Sequence, residues 1–188
     1  LLDGLRAFNE RYPLVDLHLR VEGLGAVVQL VDEGTCQLGI AVDFDTYPRS
    51  LTVRPLCTVP MSQVCAPDHA LARVEGPIPE DVLRHETQLV VTDRSSLTEG
   101  RDRGVVSERT WRIADLHTKR MLLLNGFGWG NMPDHAIAND LEAGRLVRIQ
   151  PAHRAEDVDV PLSAIARTAD PPGPAASWLL DQLAERCA

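Results

Sequence analysis

Apolar residues recur at two periods along the chain, and the switches between them mark out its elements. Leu1, Leu5, Phe8 and Tyr12 follow one another at spacings of four, three and four, which draws one apolar stripe on a helix that Pro13 ends. From Leu14 the period changes. Val15, Leu17, Leu19 and Val21 alternate with Asp16, His18, Arg20 and Glu22, predicting a strand with one buried face that Gly23 closes. Leu24, Val27, Val28 and Val31 return to helical spacing, and Gly34 stands where a left-handed residue caps a helix. A strand over residues 38–42 follows.

Further strands are expected over 51–59 and 61–66, split by Pro60, with a turn at Pro67, Asp68 and His69. Pro79 starts a short helix whose Glu80 and Asp81 sit at the positive end of its dipole. A buried strand over 88–91 runs into the polar segment 92–96, and 97–106 reads as a loop or a frayed helix. Trp111, Arg112 and Ile113 read as strand, and Asp115 can cap the helix that carries Leu116, Leu123 and Leu124. Gly126, Gly128 and Gly130 then precede a helix through Ala136, Ile137 and Leu141 to Gly144, and a strand over 146–149. A polar loop over 150–158, a strand over 160–166 and a final helix aligning Ala176, Leu180, Leu183 and Cys187 complete the chain. Helices and strands alternating through short connections predict an α/β protein with parallel sheet covered by helices. Because such a layer normally opens on a strand, the opening helix predicts a further strand upstream.

Composition narrows the function classes. With 188 residues, 44% of them hydrophobic and 24% charged, the chain can bury a sizeable core, and no apolar run reaches the roughly 20 residues of a membrane span. The start carries no basic flank or cleavage site, so a cytoplasmic location is expected. A net charge of -8 repels phosphate backbones, so these residues alone are expected to bind DNA poorly. Cys36, Cys57, Cys65 and Cys187 form no C-x-x-C pair and are expected to be reduced thiols in apolar surroundings. The six histidines show no metal-ligand spacing, so no metal is expected. The glycines from 126 to 130 follow a helix and lack the G-x-G-x-x-G spacing, which argues against a dinucleotide cofactor. No cofactor is expected. They form either a helix cap with a tight turn or part of a ligand cleft, and 92–96 is either a hydrogen-bonded turn or a ligand contact. With no G-x-S-x-G elbow and no paired carboxylates, an enzyme has no nucleophile or base to name.

The stretches FNERYP (8–13), EGTCQLGI (33–40), PDHALA (67–72), GFGWGNMP (126–133) and DLEAGRLV (140–147) occur in this order in one chain. Together they resemble the effector-binding domain of LysR-type transcriptional regulators over essentially the whole length. The resemblance implies two Rossmann-like lobes joined by two crossover strands, a periplasmic-binding-protein-like fold of type 2. Lobe I would be 1–60 plus 162–188 and lobe II 61–161, with crossovers near 59–66 and 160–166. It implies an effector sensor without catalytic activity, which binds a small molecule in the interlobe cleft and modulates transcription. The pocket would be lined by Leu24 and Gly25, by Thr92, Arg94, Ser95 and Ser96, and by Gly126, Phe127, Gly128 and Trp129. The hydroxyls would bond a polar ligand, Arg94 would pair with a carboxylate, and Phe127 and Trp129 would stack on a ring, which suits an aromatic or organic acid.

The likeness also implies a homodimer or tetramer, with 5–12 and 116–124 at the interface, and DNA contact only through a winged helix-turn-helix not found among these residues. The sequence departs from the family at Leu24, where many relatives have Ser or Thr, and at Gln37, which stands for a frequent aspartate. A solute-binding protein for transport shares the fold and would need export. A small α/β enzyme would need a titrating residue that the sequence does not display.

Overall fold

The structure, a computed structural model, describes residues 2–43, 47–92, 104–152 and 159–187. The chain divides into two units. One takes the described residues up to Thr58 and from Pro161 onward, the other those between Val59 and Val160.

In the first unit, the predicted opening helix is α1 (Leu2–Arg11), and it packs against the last helix, α6 (Pro174–Cys187). Phe8 meets Leu179 and Leu183 in a buried cluster, with the Tyr12 and Trp178 rings 5.6 Å apart at its border. Gly4 allows this approach, since a Cβ there would lie 2.8 Å from Leu183 Cδ2. The buried line of α6 therefore runs through Leu179 and Leu183 rather than through Leu180. Helix α2 (Leu24–Asp32) ends at Gly34, which takes the expected left-handed conformation at φ 79°. Val28 and Val31 of α2 cover strand β1 (Leu38–Val42), with Leu51 and Ile165 completing the cluster.

Two expectations fail in this unit. Its three strands, β1, β2 (Leu51–Val59) and β8 (Val160–Arg167), lie in the order β1-β8-β2, and β1 runs antiparallel to β8 from Leu38↔Ala166 to Val42↔Leu162. The sheet is therefore not the parallel one that alternation suggested. Nor do residues 14–21 form a strand with a buried face. Every residue from Leu14 to Glu22 is exposed, Leu14 at 97% and Val21 at 87%. Alternation makes a buried face only where a neighbouring strand and a covering layer exist, and no described strand pairs with this segment.

The second unit is a five-stranded sheet with strands β3 (Met61–Cys65), β4 (Gln88–Val91), β5 (Thr110–Ile113), β6 (Trp129–Pro133) and β7 (Val147–Arg148) in the order β5-β4-β6-β3-β7. Strand β4 runs parallel to both β5 and β6, and β3 runs antiparallel to β6 and β7. On one face Val64, Leu89 and Met132 pack against Leu123 of helix α4 (Leu116–Leu124) and Ile137 of helix α5 (Asp134–Glu142). On the other, Cys65 and Trp129 pack against Leu71, Ile78, Ile149 and Leu83, the last from helix α3 (Glu80–His85). Burying each such side chain contributes about 1.5–3 kcal/mol.

Candidate functional site

Strand direction decides where this unit can hold a ligand. Because β5, β4 and β6 are parallel, their carboxyl ends share one edge: Thr92 follows β4, Asp115 follows β5, and Asp134 follows β6. Helices α4 and α5 begin at this same edge, and in open α/β sheets it is the carboxyl edge that binds ligands. The amino end of α4 is closed by its own cap, since Asp115 accepts from Thr118 N and Thr118 Oγ1, both at 2.8 Å. Those bonds hold the Asp115 carboxyl below its usual range. At α5 the capping residue is Pro133, which has no side-chain cap to offer. The Asp134 amide donates to Pro60 O at 3.0 Å, and the chain enters the unit at this edge through Met61, which pairs with Pro133.

Thr92, half-buried, is at this edge, its amide donating to Ile113 O at 2.9 Å. Arg94, Ser95 and Ser96 lie outside the described residues. The glycine-rich segment is elsewhere. Gln88 of β4 pairs with Trp129 of β6, and Trp129 N donates to Thr87 O, so Gly126, Phe127 and Gly128 stand at the amino ends of the strands. That edge is a full strand away from Thr92, roughly 16 Å at the usual rise. Structure therefore corrects the expectation that Gly126, Phe127, Gly128 and Trp129 share a pocket with Thr92. Gly126, at φ 72°, ends α4 in a left-handed turn, and a Cβ on Gly128 would lie 2.3 Å from Thr87 O. These glycines serve a helix cap and a close strand approach. The Trp129 ring is fully buried, and its Nε1 donates to Ser107 Oγ at 3.2 Å, so it is a core ring and not a stacking platform. Phe127 is half exposed and packs at 5.5 Å on the exposed Trp111.

In the first unit, Leu24 and Gly25 open α2. No side chain caps this helix, and Gly23 O accepts from Ala26 N at 3.0 Å. Leu24 has φ 36°, in the left-handed region that a leucine rarely enters. The short 33–37 connection returns β1 along α2, which sets this helix start level with Val42, the carboxyl end of β1.

One buried cation between α4 and the middle of β6 was not singled out from the sequence. Lys119, in the second turn of α4, is only 4% exposed, and its Nζ donates to Asn131 O at 2.8 Å. Burial alone pushes this amine down to about 8. Two signals were present: Lys119 sits four residues before Leu123 on the buried stripe, and it is the single lysine among 19 cationic residues.

Over residues 1–188 the sequence matches the family described as the LysR substrate binding domain. Solved structures share the fold at low identity. The regulatory domain of MetR, a LysR family regulator from N. meningitidis, is 21% identical with a TM-score of 0.74, over 98% of this chain and 86% of that one. The regulatory domain of CcmR from Synechocystis PCC6803, in complex with 2-PG, is 16% identical with a TM-score of 0.78, over 99% and 90%. The effector binding domain of QuiR in complex with shikimate is 13% identical with a TM-score of 0.77, over 98% and 88%.

Proposed function

The chain belongs to the LysR substrate binding domain family, with its type 2 periplasmic-binding-protein-like fold, and from that premise we propose that it senses a small-molecule effector at the carboxyl edge of β5, β4 and β6 and thereby modulates transcription. The observation that carries this reading is the convergence at one edge of three strand ends, two helix starts and Thr92, with the buried Lys119 ammonium two residues below it on Asn131 O. Helix starts supply backbone N–H groups and a positive dipole end, which favour an acidic ligand. The effector is accordingly an organic acid. Ser95, Ser96 and Arg94, which follow Thr92 in sequence, are assigned to its contacts.

Among its described residues the edge offers donors and a cation rather than a paired nucleophile and base, which supports a domain that acts by binding and not by turnover. A ligand that binds one conformational state better than another shifts the population toward it, and that shift is the signal passed to a DNA-binding segment. The regulator works in the cytoplasm as a homodimer or higher oligomer, and the -8 net charge leaves DNA contact to that other segment.

Isothermal titration calorimetry with a panel of aromatic and aliphatic organic acids tests the reading. At least one acid is expected to bind, and Thr92→Val should weaken it roughly tenfold, the loss of one hydrogen bond to a charged group. If every acid in the panel fails to bind the chain at millimolar concentration, the reading is wrong.

A further inference from the structure

Eighteen of the 19 cationic side chains in this sequence are arginines, and the exception, Lys119, is buried. Side chains on a helix lean toward its amino end, so from the second turn of α4 the ammonium reaches back toward the carboxyl edge of the sheet. It passes over Gly130, where a Cβ would come within 2.9 Å of Lys119 Cε, and ends on Asn131 O at 2.8 Å. An ammonium has three donors. Among the described residues Lys119 uses one, on a neutral carbonyl, and no carboxylate faces it.

Of the charges on neighbouring elements, Asp134 of α5 faces Arg148 at 3.7 Å through Oδ2, and its buried Oδ1 has no hydrogen-bond partner among the described residues. The Asp115 carboxylate is turned onto Thr118 as the helix cap, His117 is exposed, and Arg120 is bonded to Asp140 of α5 at 2.5 and 2.8 Å. Strands β4 and β6 carry no ionisable side chain, β5 brings the cation Arg112, and the one titratable group of β3, the Cys65 thiol, packs on the opposite face of the sheet. A desolvated cation without an anion is costly, and the planar guanidinium used everywhere else would not fit the narrow passage over Gly130 as this compact point charge does.

We propose that Lys119 is the counter-charge for an acidic group of the effector, a carboxylate or a phosphate, and that it makes the domain select anionic over neutral ligands. The inference rests on the carboxyl edge being the effector site. An arriving oxyanion takes the two remaining donors beside the positive end of the α4 dipole. Since the amine titrates near 8 without a ligand, affinity is full below that pH and declines up to tenfold per unit above it, until the ligand-bound amine itself deprotonates.

Because the lysine is alone, selective 15N-lysine labelling gives one side-chain signal to follow in the 188-residue chain. Sodium acetate and sodium phosphate are titrated against sodium chloride at matched ionic strength. Acetate or phosphate is expected to shift the signal at pH 7 and raise its titration midpoint by half a unit or more, and the one that does so identifies carboxylate or phosphate. If both leave it where chloride leaves it, the proposal is overturned. Lys119→Met is expected to fold with a Tm no lower than the parent and to lose the anion-dependent rise in Tm; retention of that rise also overturns the proposal. An organic acid that binds Lys119→Met as tightly as the parent removes this role for Lys119 and leaves the effector reading standing, whereas failure of every acid to bind either protein removes both.

Discussion

Lys119 and Cys65 are both buried in the second unit, and burial acts on them with opposite sign. The amine falls from 10.5 to about 8, so between those values the unfolded chain holds the proton that the folded chain has released, and stability rises with pH. The thiol rises from 9.0 to about 12, by burial first and then by the Asp68 charge, so the stability it contributes is full below 9.0 and lost as pH climbs toward 12. From pH 7.5 to 9 the lysine is the larger of these two contributions. Tm should rise across that window by the equivalent of about 1 kcal/mol, out of a total Lys119 effect on the order of 3 kcal/mol that is complete only above pH 10.5, and the rise should vanish in Lys119→Met. Differential scanning calorimetry at half-unit intervals checks this, and a flat profile for the parent contradicts it. Asp140 is a simpler case. Its carboxylate is 1% exposed and is bonded by Arg120 and Arg145, which hold its pKa below the usual carboxylate range, so its contribution is present above that range and lost as pH falls through the lowered value. Asp140→Ala strips the two guanidinium groups of their shared partner and should cost about 3 kcal/mol in urea unfolding at pH 7. The role of Lys119 was hard to read from sequence because spacing alone shows a position on a helix and says nothing of what its ammonium meets.

At the scale of elements, punctuation was legible and partnership was not. Pro13, Gly34 and Asp115 end, cap and start helices where their chemistry requires. Two of the three glycine-bearing stretches that carried the family likeness prove to be local devices. In 140–147, Gly144 at φ 66° closes α5 and lets Arg145 fold back to Asp140 at 2.7 Å. In 126–133, the glycines bring β6 against β4. Gly128→Ala should cost about 2–3 kcal/mol, because its Cβ would meet the backbone of Thr87. Gly76→Ala should cost only about 1 kcal/mol, the strain of a left-handed residue in open space. Urea midpoints for the pair test the contrast, and equal losses would contradict it. The segment 14–21 misled for a physical reason: alternation reports which side chains could share a face, and the partner strand that would bury Leu17 and Leu19 is not among the described elements. Similarly, glycines beside aromatic residues look the same in sequence whether the rings face a ligand or, as with Trp129, the core.

For the whole molecule, the α/β class and the family were readable, since they depend on the order of elements and on motifs spread over the full length. Placement of the site was only partly readable. Thr92 and the glycine-rich segment look like one constellation until strand direction puts them at opposite ends of β4, and direction follows from pairing that no local pattern contains. The effector is proposed to bind at the carboxyl edge of β5, β4 and β6. Backbone amide shift mapping of the 188-residue chain, titrated with an acid that binds by calorimetry, tests it most directly. The largest shifts are expected on Thr92, Lys119, Asn131 and Asp134. Shifts centred instead on Gly126, Phe127 and Gly128, with the carboxyl edge unmoved, would contradict it.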